Sequence, residues 1–231
     1  MKIKTCLFAI LFGAAAIVPA LASDSGARGR ADKRISASAT VLQEALNSGD
    51  KGPPRDLIGK AQCVGVIPSL KNGGFIVGGK YGKGVVTCRL PAGGWSAPEI
   101  VRIEGGNIGL QIGGGATDFV FAVMNQGGMD KLMSDKFTIG AEAGAMAGPV
   151  GGSTSAQTDA ALHAQILSWS RAKGVYAGVT LNGATLRPDE DDNRALYGAN
   201  MGAREILGGT AKPTAAAQPL FDVLRPFPSR G

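Results

Sequence analysis

The sequence predicts an α+β fold: a curved, mainly antiparallel, glycine-rich sheet of barrel-like shape, packed by an N-terminal and a C-terminal helix. Two observations support it. Apolar residues recur at helical spacing near both ends of the chain, whereas the region between 62 and 124 consists of short β-branched runs interrupted by glycine. The 36 glycines follow no fixed period. They therefore favour close backbone packing and curvature within strands over a collagen-like or linker sequence.

The first 22 residues are typical of a signal peptide. Lys2 and Lys4 precede an apolar run from 7 to 18, and Ala20-Leu21-Ala22 places small residues at a cleavage position. The run is shorter than the roughly 20 apolar residues that a membrane-spanning helix needs. Retention as an anchor is the alternative. We expect an exported protein, periplasmic or secreted, that can associate peripherally with a membrane.

Residues 23–34 are small, polar and basic, and we expect a flexible basic arm. A helix should follow, with Asp32 as its N-cap and Gly49 as its stop, because four apolar residues repeat there at helical spacing. Those four residues are Ile35, Ala39, Leu42 and Leu46. After Pro53-Pro54 the pattern predicts a helical turn ending near Gly59.

The following region is predicted to be mostly β-structure. We expect strands at 62–68, 73–81, 84–90, 98–104, 107–113, 117–124 and 137–147, and a helical turn at 127–134. Residues 161–169 fit either a helix or a strand. A turn at Lys71-Asn72-Gly73 should separate the first two strands, and Asn182-Gly183 should join a hairpin of 175–181 and 184–186.

The last helix is predicted at 192–207 and should end at Gly208-Gly209. The domain then spans 35–209. Residues 210–231 are rich in proline and alanine, which predicts a loose tail whose few apolar side chains can dock back on the domain.

Two cysteines, Cys63 and Cys88, remain after signal cleavage. If residues 62–90 form a three-stranded meander, the two lie on the outer strands, about 9.6 Å apart. A disulfide needs Cα atoms within about 7 Å. Two buried free thiols are therefore the preferred interpretation, and a disulfide formed in an oxidising compartment is the alternative.

The residue types give little support for catalysis. His163 is the one histidine, so no cluster of histidine and cysteine can complete a zinc site. Ser170 and Lys173 match an S-x-x-K pattern, but the companion motifs of the enzymes that use it are absent. We predict that the protein is not an enzyme and uses no metal or cofactor.

Positive charge is concentrated between residues 51 and 89, where Asp56 is the single acid among seven cations. Those cations are Lys51, Arg55, Lys60, Lys71, Lys80, Lys83 and Arg89. Such a region suits anionic lipid, nucleic acid or an acidic partner, unless it is simply a solvated basic face. Export, and the lack of aromatic residues interleaved with the cations, argue against nucleic acid.

Each Lys or Arg near an anionic membrane contributes at most about 1 kcal/mol. Useful binding therefore also needs a headgroup pocket, or insertion of apolar side chains such as the stripe on 35–46. We predict lipid contacts by two groups of cations. The main group is Lys71, Lys80, Lys83 and Arg89, and the helpers are Arg30, Lys33 and Arg34.

Several motifs follow one another in a specific order. They are Gly78-Gly79-Lys80-Tyr81-Gly82-Lys83-Gly84-Val85, Trp95-Ser96-Ala97-Pro98, Gly109-Leu110-Gln111-Ile112-Gly113, Thr117-Asp118-Phe119-Val120, Ala147-Gly148-Pro149-Val150-Gly151, the run from Ser168 to Gly178, and Asn193-Arg194-x-x-Tyr197-Gly198. In these motifs, from about Pro54 to Gly198, the chain resembles the SYLF lipid-binding domain family. Trp169 stands where the family pattern has tyrosine.

The resemblance implies a lipid-binding domain with no agreed catalytic residues. Eukaryotic members bind phosphoinositides, and some yeast members bind and bundle actin. For a bacterial exported member, the resemblance and the basic region together predict affinity for anionic phospholipid or the phosphate of lipopolysaccharide. The alternative is an envelope scaffold that binds a protein through the proline-rich tail or an exposed sheet edge.

Overall fold

The computed structural model describes residues 20–74, 77–108, 115–134, 136–139, 144–151, 161, 163–180 and 183–227. The predicted fold class is confirmed: a curled, mainly antiparallel sheet is packed by N-terminal and C-terminal helices. The predicted signal peptide lies outside the described residues except for its last three positions, at which the first helix begins.

The helices are α1 (Ala20–Asn47), α2 (Arg55–Lys60), α3 (Gln126–Leu132), α4 (Glu190–Tyr197), α5 (Ala203–Leu207) and α6 (Gln218–Leu224), with 3₁₀ turns at Gly49–Lys51 and Ala215–Ala217. The strands are β1 (Cys63–Gly74), β2 (Val77–Cys88), β3 (Glu99–Ile108), β4 (Gly115–Val123), β5 (Phe137–Thr138), β6 (Ala145–Ala147), β7 (Ile166–Ala172), β8 (Val175–Gly178) and β9 (Thr185–Pro188).

The described strands join in one sheet of order β5-β9-β3-β2-β1-β4-β7-β6, with β8 also paired to β7. All pairs are antiparallel except β6 with β7. The long β1–β2 hairpin lies at the centre, because β1 also pairs with β4 and β2 also pairs with β3. Residues of this hairpin therefore decide how the two halves of the sheet meet.

The sheet has two apolar faces because side chains alternate along each strand. On the helix face, Val66, Val85 and Val120 belong to a core that includes Ile35 and Leu42 of α1. The opposite side, called here the inner face, carries a second core. That core includes Leu186 of β9, Ile103 of β3, Val86 of β2, Ile67 of β1, Phe119 of β4 and Ile166 of β7. Strands far apart in the sheet order share it, so the sheet curls around this core.

The curl depends on missing side chains in the hairpin. A Cβ at Gly84 would stand 1.9 Å from the carbonyl oxygen of Val66, and one at Gly65 would stand 2.1 Å from the Phe121 ring. A bulge between Val66 and Lys71 adds to the bend. At this bulge Ser69 has φ +51°, and its N–H donates to Asp118 Oδ1 at 3.0 Å.

The predicted three-stranded meander is wrong. The segment Lys71-Asn72-Gly73 does not turn; β1 continues through it, and its residues pair with 79–81 of β2. Cys63 therefore lies directly opposite Cys88 on the neighbouring strand, with Cα atoms 4.0 Å apart, and the two form a disulfide. The preferred interpretation of two free thiols is wrong for the same reason.

Other strand boundaries also differ from the prediction. The strands expected at 98–104 and 107–113 are one strand, β3, as far as residue 108; positions 109–113 lie outside the described residues. Of the strand expected at 137–147, only the two ends are described as strand, namely β5 and β6. The segment 161–169, which fits either a helix or a strand, belongs to strand β7 from Ile166 onward. The predicted 175–186 hairpin is wrong, because β8 pairs with β7 while β9 pairs with β3 and β5.

The helical ends are more ordered than the sequence predicts. The expected flexible arm, residues 23–34, is part of α1, where Ala31 is fully buried. The helix expected at 192–207 is two helices, because α4 ends at Gly198 with φ +72°. The tail is not loose as far as residue 227, although the docking of its apolar residues is confirmed: Leu220 and Leu224 are buried against α1.

Glu99, the first residue of β3, is a buried acid. Its side chain is 1% exposed, and its Oε1 has no hydrogen-bond partner among the described residues. Burial disfavours the charged form and raises the pKa of Glu99 to about 8. Burial, together with the charge of Glu99, raises the pKa of Tyr197, whose hydroxyl donates to the Pro98 carbonyl.

The disulfide should contribute strongly to stability. Replacing both cysteines in the Cys63→Ala/Cys88→Ala variant should lower the free energy of unfolding by about 2–4 kcal/mol, because the cross-link restricts the unfolded chain. Urea denaturation with and without dithiothreitol measures this. Reductant should destabilise the wild type and leave the double variant unchanged; equal stability of the two proteins without reductant would contradict the prediction.

Glu99 should make stability fall as pH rises. The unfolded carboxyl has a pKa near 4.5 and the folded one near 8, so between these values the folded state binds more protons. Unfolding free energy should drop by up to about 1.4 kcal/mol per pH unit over this window and show no further loss from Glu99 above it. The Glu99→Gln variant should lose this slope. Parallel pH profiles of wild type and variant would contradict it.

Candidate functional site

Five side chains at one end of the sheet form the candidate site, which we call the cationic rim: Lys71, Lys80, Tyr81, Lys173 and Val175. The strand registers place them at the same level. Lys71 of β1 lies opposite Tyr81 of β2 on one side and Ala116 of β4 on the other. Asp118 lies opposite Arg171 of β7, which brings the adjoining turn, with Lys173, to the level of Ala116.

The rim combines exposed cations with exposed apolar groups. Tyr81 is 47% exposed and Val175 is 68% exposed, although both are large hydrophobic residues. Lys71 and Lys173 are exposed as well, and neither forms an ion pair with a residue that the structure describes. Lys173 lies in the tight turn between β7 and β8 and has φ +50°. This turn projects from the end of the sheet.

The described acids at this end of the sheet are already paired with arginine. Asp118 accepts from Arg171 at 2.7 Å, and Glu44 of α1 binds the same guanidinium. Glu104, opposite Tyr81, pairs with Arg187 of β9. Arg187 balances Glu104, and Arg171 leaves one net negative charge on the Asp118–Glu44 pair. The three rim lysines therefore keep this end of the sheet net positive.

Lys83 has a structural role. Its Nζ lies 2.5 Å from Asp189 Oδ2 and 3.1 Å from Asp192 Oδ2, and both carboxylates are nearly inaccessible. Burial acts against the charged amine, but the hydrogen bonds and charges of the two aspartates outweigh it and raise the pKa of Lys83. Arg34 donates to the Lys83 carbonyl at 3.3 Å and lies 3.9 Å from Asp192. We call this group the α1–β2–α4 clamp.

Arg89 follows directly after β2, at the end of the strand away from the rim. It lies six positions after Lys83, or about 20 Å along a strand. Its guanidinium donates to the carbonyls of Gly59, Ala61 and Phe227 and stacks on Trp95, with 4.4 Å from Cζ to the ring centroid. Arg89 therefore holds α2 and the C-terminal segment together.

The predicted lipid-binding cations thus divide into separate places. Lys71 and Lys80 come together on adjacent strands, but on opposite faces of the sheet, since Tyr81 opposite Lys71 alternates with Lys80. Arg30 and Lys33 are exposed on α1, one turn or less before Arg34 of the clamp. Arg89 lies apart from the rest. Lys83 and Arg34 adjoin Lys71, but Asp189 and Asp192 already pair with them.

Beside the clamp, the helix face of the rim contains an open cleft of about 340 Å³. Arg34, Lys71, Tyr81 and Lys83 line it together with the bulge at Pro68 and Ser69. Lys71 is the cation in this cleft with no carboxylate partner among the described residues. The cleft can accept an anionic or hydroxyl-bearing group at the surface.

Sequence reasoning missed Tyr81, Lys173 and Val175 as site residues. We had considered Lys173 only as part of an S-x-x-K pattern, although the sequence Lys173-Gly174 between two strand-like runs signals an exposed turn. The apolar residues around His163 in sequence predict that it lies in the core, but it is exposed. Ala164 and Ile166 are the buried residues of this segment.

Within the described residues, no three His, Cys, Asp or Glu side chains come close enough together to hold a metal ion. No helix in this part of the chain is both long and apolar enough to cross a bilayer.

Comparisons with known proteins match this chain to Ysc84-related proteins. A sequence model described as "Ysc84: Las17-binding protein actin regulator" matches residues 104–227, which includes the C-terminal segment beyond the domain end that we predicted at 209. LAS seventeen-binding protein 3 of Saccharomyces cerevisiae is 35% identical over 178 residues, covering 76% of this chain and 39% of that protein. SH3 domain-containing YSC84-like protein 1 of Homo sapiens is 29% identical over 196 residues, or 82% of this chain and 57% of that protein. The chain thus spans well under two thirds of these relatives.

The clamp should be required for stability. Lys83→Met leaves the buried Asp189 and Asp192 without their main counter-charge and should lower the free energy of unfolding by about 3 kcal/mol. Lys71→Met, at an exposed lysine of the same hairpin, should change it by no more than about 0.5 kcal/mol. Chemical denaturation of the two variants measures the difference. A Lys83→Met protein as stable as Lys71→Met would show that the clamp is dispensable.

Proposed function

The chain belongs to the SYLF (Ysc84) family, and from that membership we propose that it is a non-enzymatic binding module that docks on anionic lipid surfaces through its cationic rim. One observation carries the proposal: exposed Tyr81 and Val175 lie at the same end of the sheet as three lysines, while the acids described there are paired with arginines. An apolar group flanked by cations suits the boundary between lipid headgroups and acyl chains. With the predicted signal peptide, such a module acts in the periplasm or outside the cell.

The expected electrostatic and apolar contributions to binding add up to weak, reversible association with a membrane. Three lysines supply at most about 3 kcal/mol at an anionic surface. Insertion of Val175 and the exposed half of Tyr81 adds about 2 kcal/mol, since full burial of such a side chain is worth about 1.5–3 kcal/mol. The sum of about 5 kcal/mol corresponds to a dissociation constant somewhat below 1 mM. Binding should therefore be sensitive to salt, and a headgroup contact or several copies on one membrane would strengthen it.

The N-terminal helix does not supply the insertion that we had considered. Ile35 and Leu42 of the apolar stripe on α1 are fully buried against the sheet. Exposing them would open the helix-face core and break the clamp. Arg30 and Lys33 remain exposed on α1 and can add charge beside the rim without any movement of the helix.

A second candidate function is protein binding, favoured by an apolar groove far from the rim. Trp95, Phe221, Leu224 and Phe227 line this groove, whose volume is about 330 Å³. The yeast relative is named as a binding protein for LAS seventeen. The tail that we had considered as the binding segment is itself folded into one wall of the groove, so a partner would have to insert its own apolar side chain there.

Vesicle binding tests the lipid proposal. Lys71→Glu/Lys173→Glu should weaken sedimentation with vesicles of phosphatidylcholine and phosphatidylglycerol at least tenfold, because two attractive charges become repulsive. Tyr81→Ser/Val175→Ser should weaken binding mainly at high salt, where insertion contributes most. Lys131→Glu/Lys212→Glu makes the same charge change at exposed lysines outside the rim and should stay within twofold of the wild type.

Three results would contradict the proposal: equal binding to pure phosphatidylcholine, equal losses in the rim and control variants, or no loss in the rim variant. Capture of a protein partner that persists in the rim variant, and disappears in Phe221→Ser, would favour the second candidate.

A further inference from the structure

The inner face of the rim holds a second concavity, separate from the cleft on the helix face. Its volume is about 220 Å³, and strands from both halves of the curled sheet line it. Lys80 comes from β2, Asn72 from β1, Thr117 from β4 and Ser170 from β7, while Thr180 follows β8. Leu70 and Phe119 of the inner core, with Val179 packed against it, complete the lining.

Lys80 points into this pocket because of strand alternation. Along β2, Lys80 shares a face with Gly82, Gly84 and Val86, and Val86 belongs to the inner core. Ile67 and Leu70 pack directly against Gly82, where a Cβ would stand 2.7 Å and 3.0 Å from them, so the inner core begins next to Lys80. Among the described residues that line the pocket, Lys80 is the one cation and none is acidic.

The pocket also presents uncommitted hydroxyl groups. Thr117 Oγ1 accepts from Asn72 Nδ2 at 3.4 Å, which leaves the hydroxyl hydrogen of Thr117 free to donate to a ligand. Ser170 and Thr180 form no side-chain hydrogen bond with a described residue. An ammonium group and several hydroxyl donors around one small concavity match an oxyanion that accepts several hydrogen bonds.

We propose that this pocket, which we call the inner pocket, binds a terminal phosphate monoester through Lys80, Thr117 and Ser170. A monoester projects its oxygens from one point of attachment, so it can enter a concavity bounded by opposing strands. A phosphodiester carries substituents on two sides, and these would meet the walls formed by β2 and the chain after β8. The volume exceeds the roughly 30 Å³ that one water occupies in the liquid, which leaves room for a phosphate group.

Where the ligand is a lipid, the inner pocket adds headgroup selection to the proposed lipid binding, and this part of the proposal rests on that proposed function. Lys71 and Lys80 then have different roles at the rim. Lys71, on the helix face, provides general attraction to anionic surfaces. Lys80, on the inner face, selects the headgroup. Phosphatidic acid, with a terminal monoester, should be preferred over phosphatidylglycerol, a diester. A soluble phosphate monoester offers the same group without a membrane.

The first experiment uses glycerol 3-phosphate, with glycerol as the uncharged control, and follows amide shifts of the isotope-labelled protein by NMR. Shifts should concentrate at Leu70, Thr117 and Ser170. Lys80→Met should weaken the affinity at least fivefold, Lys80→Arg should largely restore it, and Lys71→Met should leave it unchanged. Equal effects of Lys80→Met and Lys71→Met, or shifts confined to the helix face, would overturn the proposal.

The second experiment compares phosphatidylcholine vesicles containing phosphatidic acid or phosphatidylglycerol, adjusted to equal surface charge. Wild type should prefer phosphatidic acid at least threefold. Thr117→Val/Ser170→Ala should bind both vesicles equally and keep the wild-type affinity for phosphatidylglycerol. Lys80→Met should also lose the preference, and because it removes one rim cation it should weaken binding to phosphatidylglycerol by at most about fivefold. Binding of glycerol 3-phosphate without any lipid preference would support the site and assign it to a soluble ligand. If the Lys71→Glu/Lys173→Glu variant loses all vesicle binding but still binds glycerol 3-phosphate, the inner pocket is supported as a binding site separate from the rim. A preference for phosphatidic acid that survives both pocket variants would overturn the proposal.

Discussion

The close approach of β1 and β2 is the constraint on which the rest of the structure depends. At Gly65 and Gly84 the neighbouring backbone and Phe121 ring occupy the space that a Cβ would need. The hairpin can bend only because these positions lack side chains, and the bend lets strands on both sides share one inner core. Without it the sheet would be flatter, the inner face would be open, and the residues around Lys80 would lie too far apart to line one pocket.

The curl also explains why chemically equivalent residues have different roles. Lys83 and Arg34 lie where α1 crosses the hairpin, next to two buried aspartates, so their charges are used to join three elements. Arg89 lies beyond the other end of the inner core, where backbone carbonyls and Trp95 surround it. Lys71 and Lys173 lie at the open end of the strands, where no described carboxylate reaches them. Position along the strand decides whether a cation stabilises the fold or stays exposed at the end of the sheet.

The family relationship concerns this domain and not the whole of its relatives. The chain spans 39% of the yeast protein and 57% of the human one, both of which carry names that refer to protein partners or to an SH3 domain. The family model matches residues 104–227, from the end of β3 to just after α6. Binding by the rim and the inner pocket would use this domain alone, whereas contacts made by other regions of the relatives need not apply here.

The sequence alone determined the fold class, the family, and the short central strand and helix at 117–134, because these depend on local periodicity and on motifs whose order is specific. It also located the docking of the C-terminal apolar residues. Strand pairing was decided only in three dimensions. With a bulge at Ser69, β1 continues through the segment where asparagine and glycine predict a turn. Because of this one difference from the predicted pairing, Cys63 lies opposite Cys88 and forms a disulfide with it. The assignment of cations likewise required the tertiary structure, because Asp189 and Asp192 lie more than a hundred residues from Lys83 in sequence and only the folded chain places them within hydrogen-bonding distance of it.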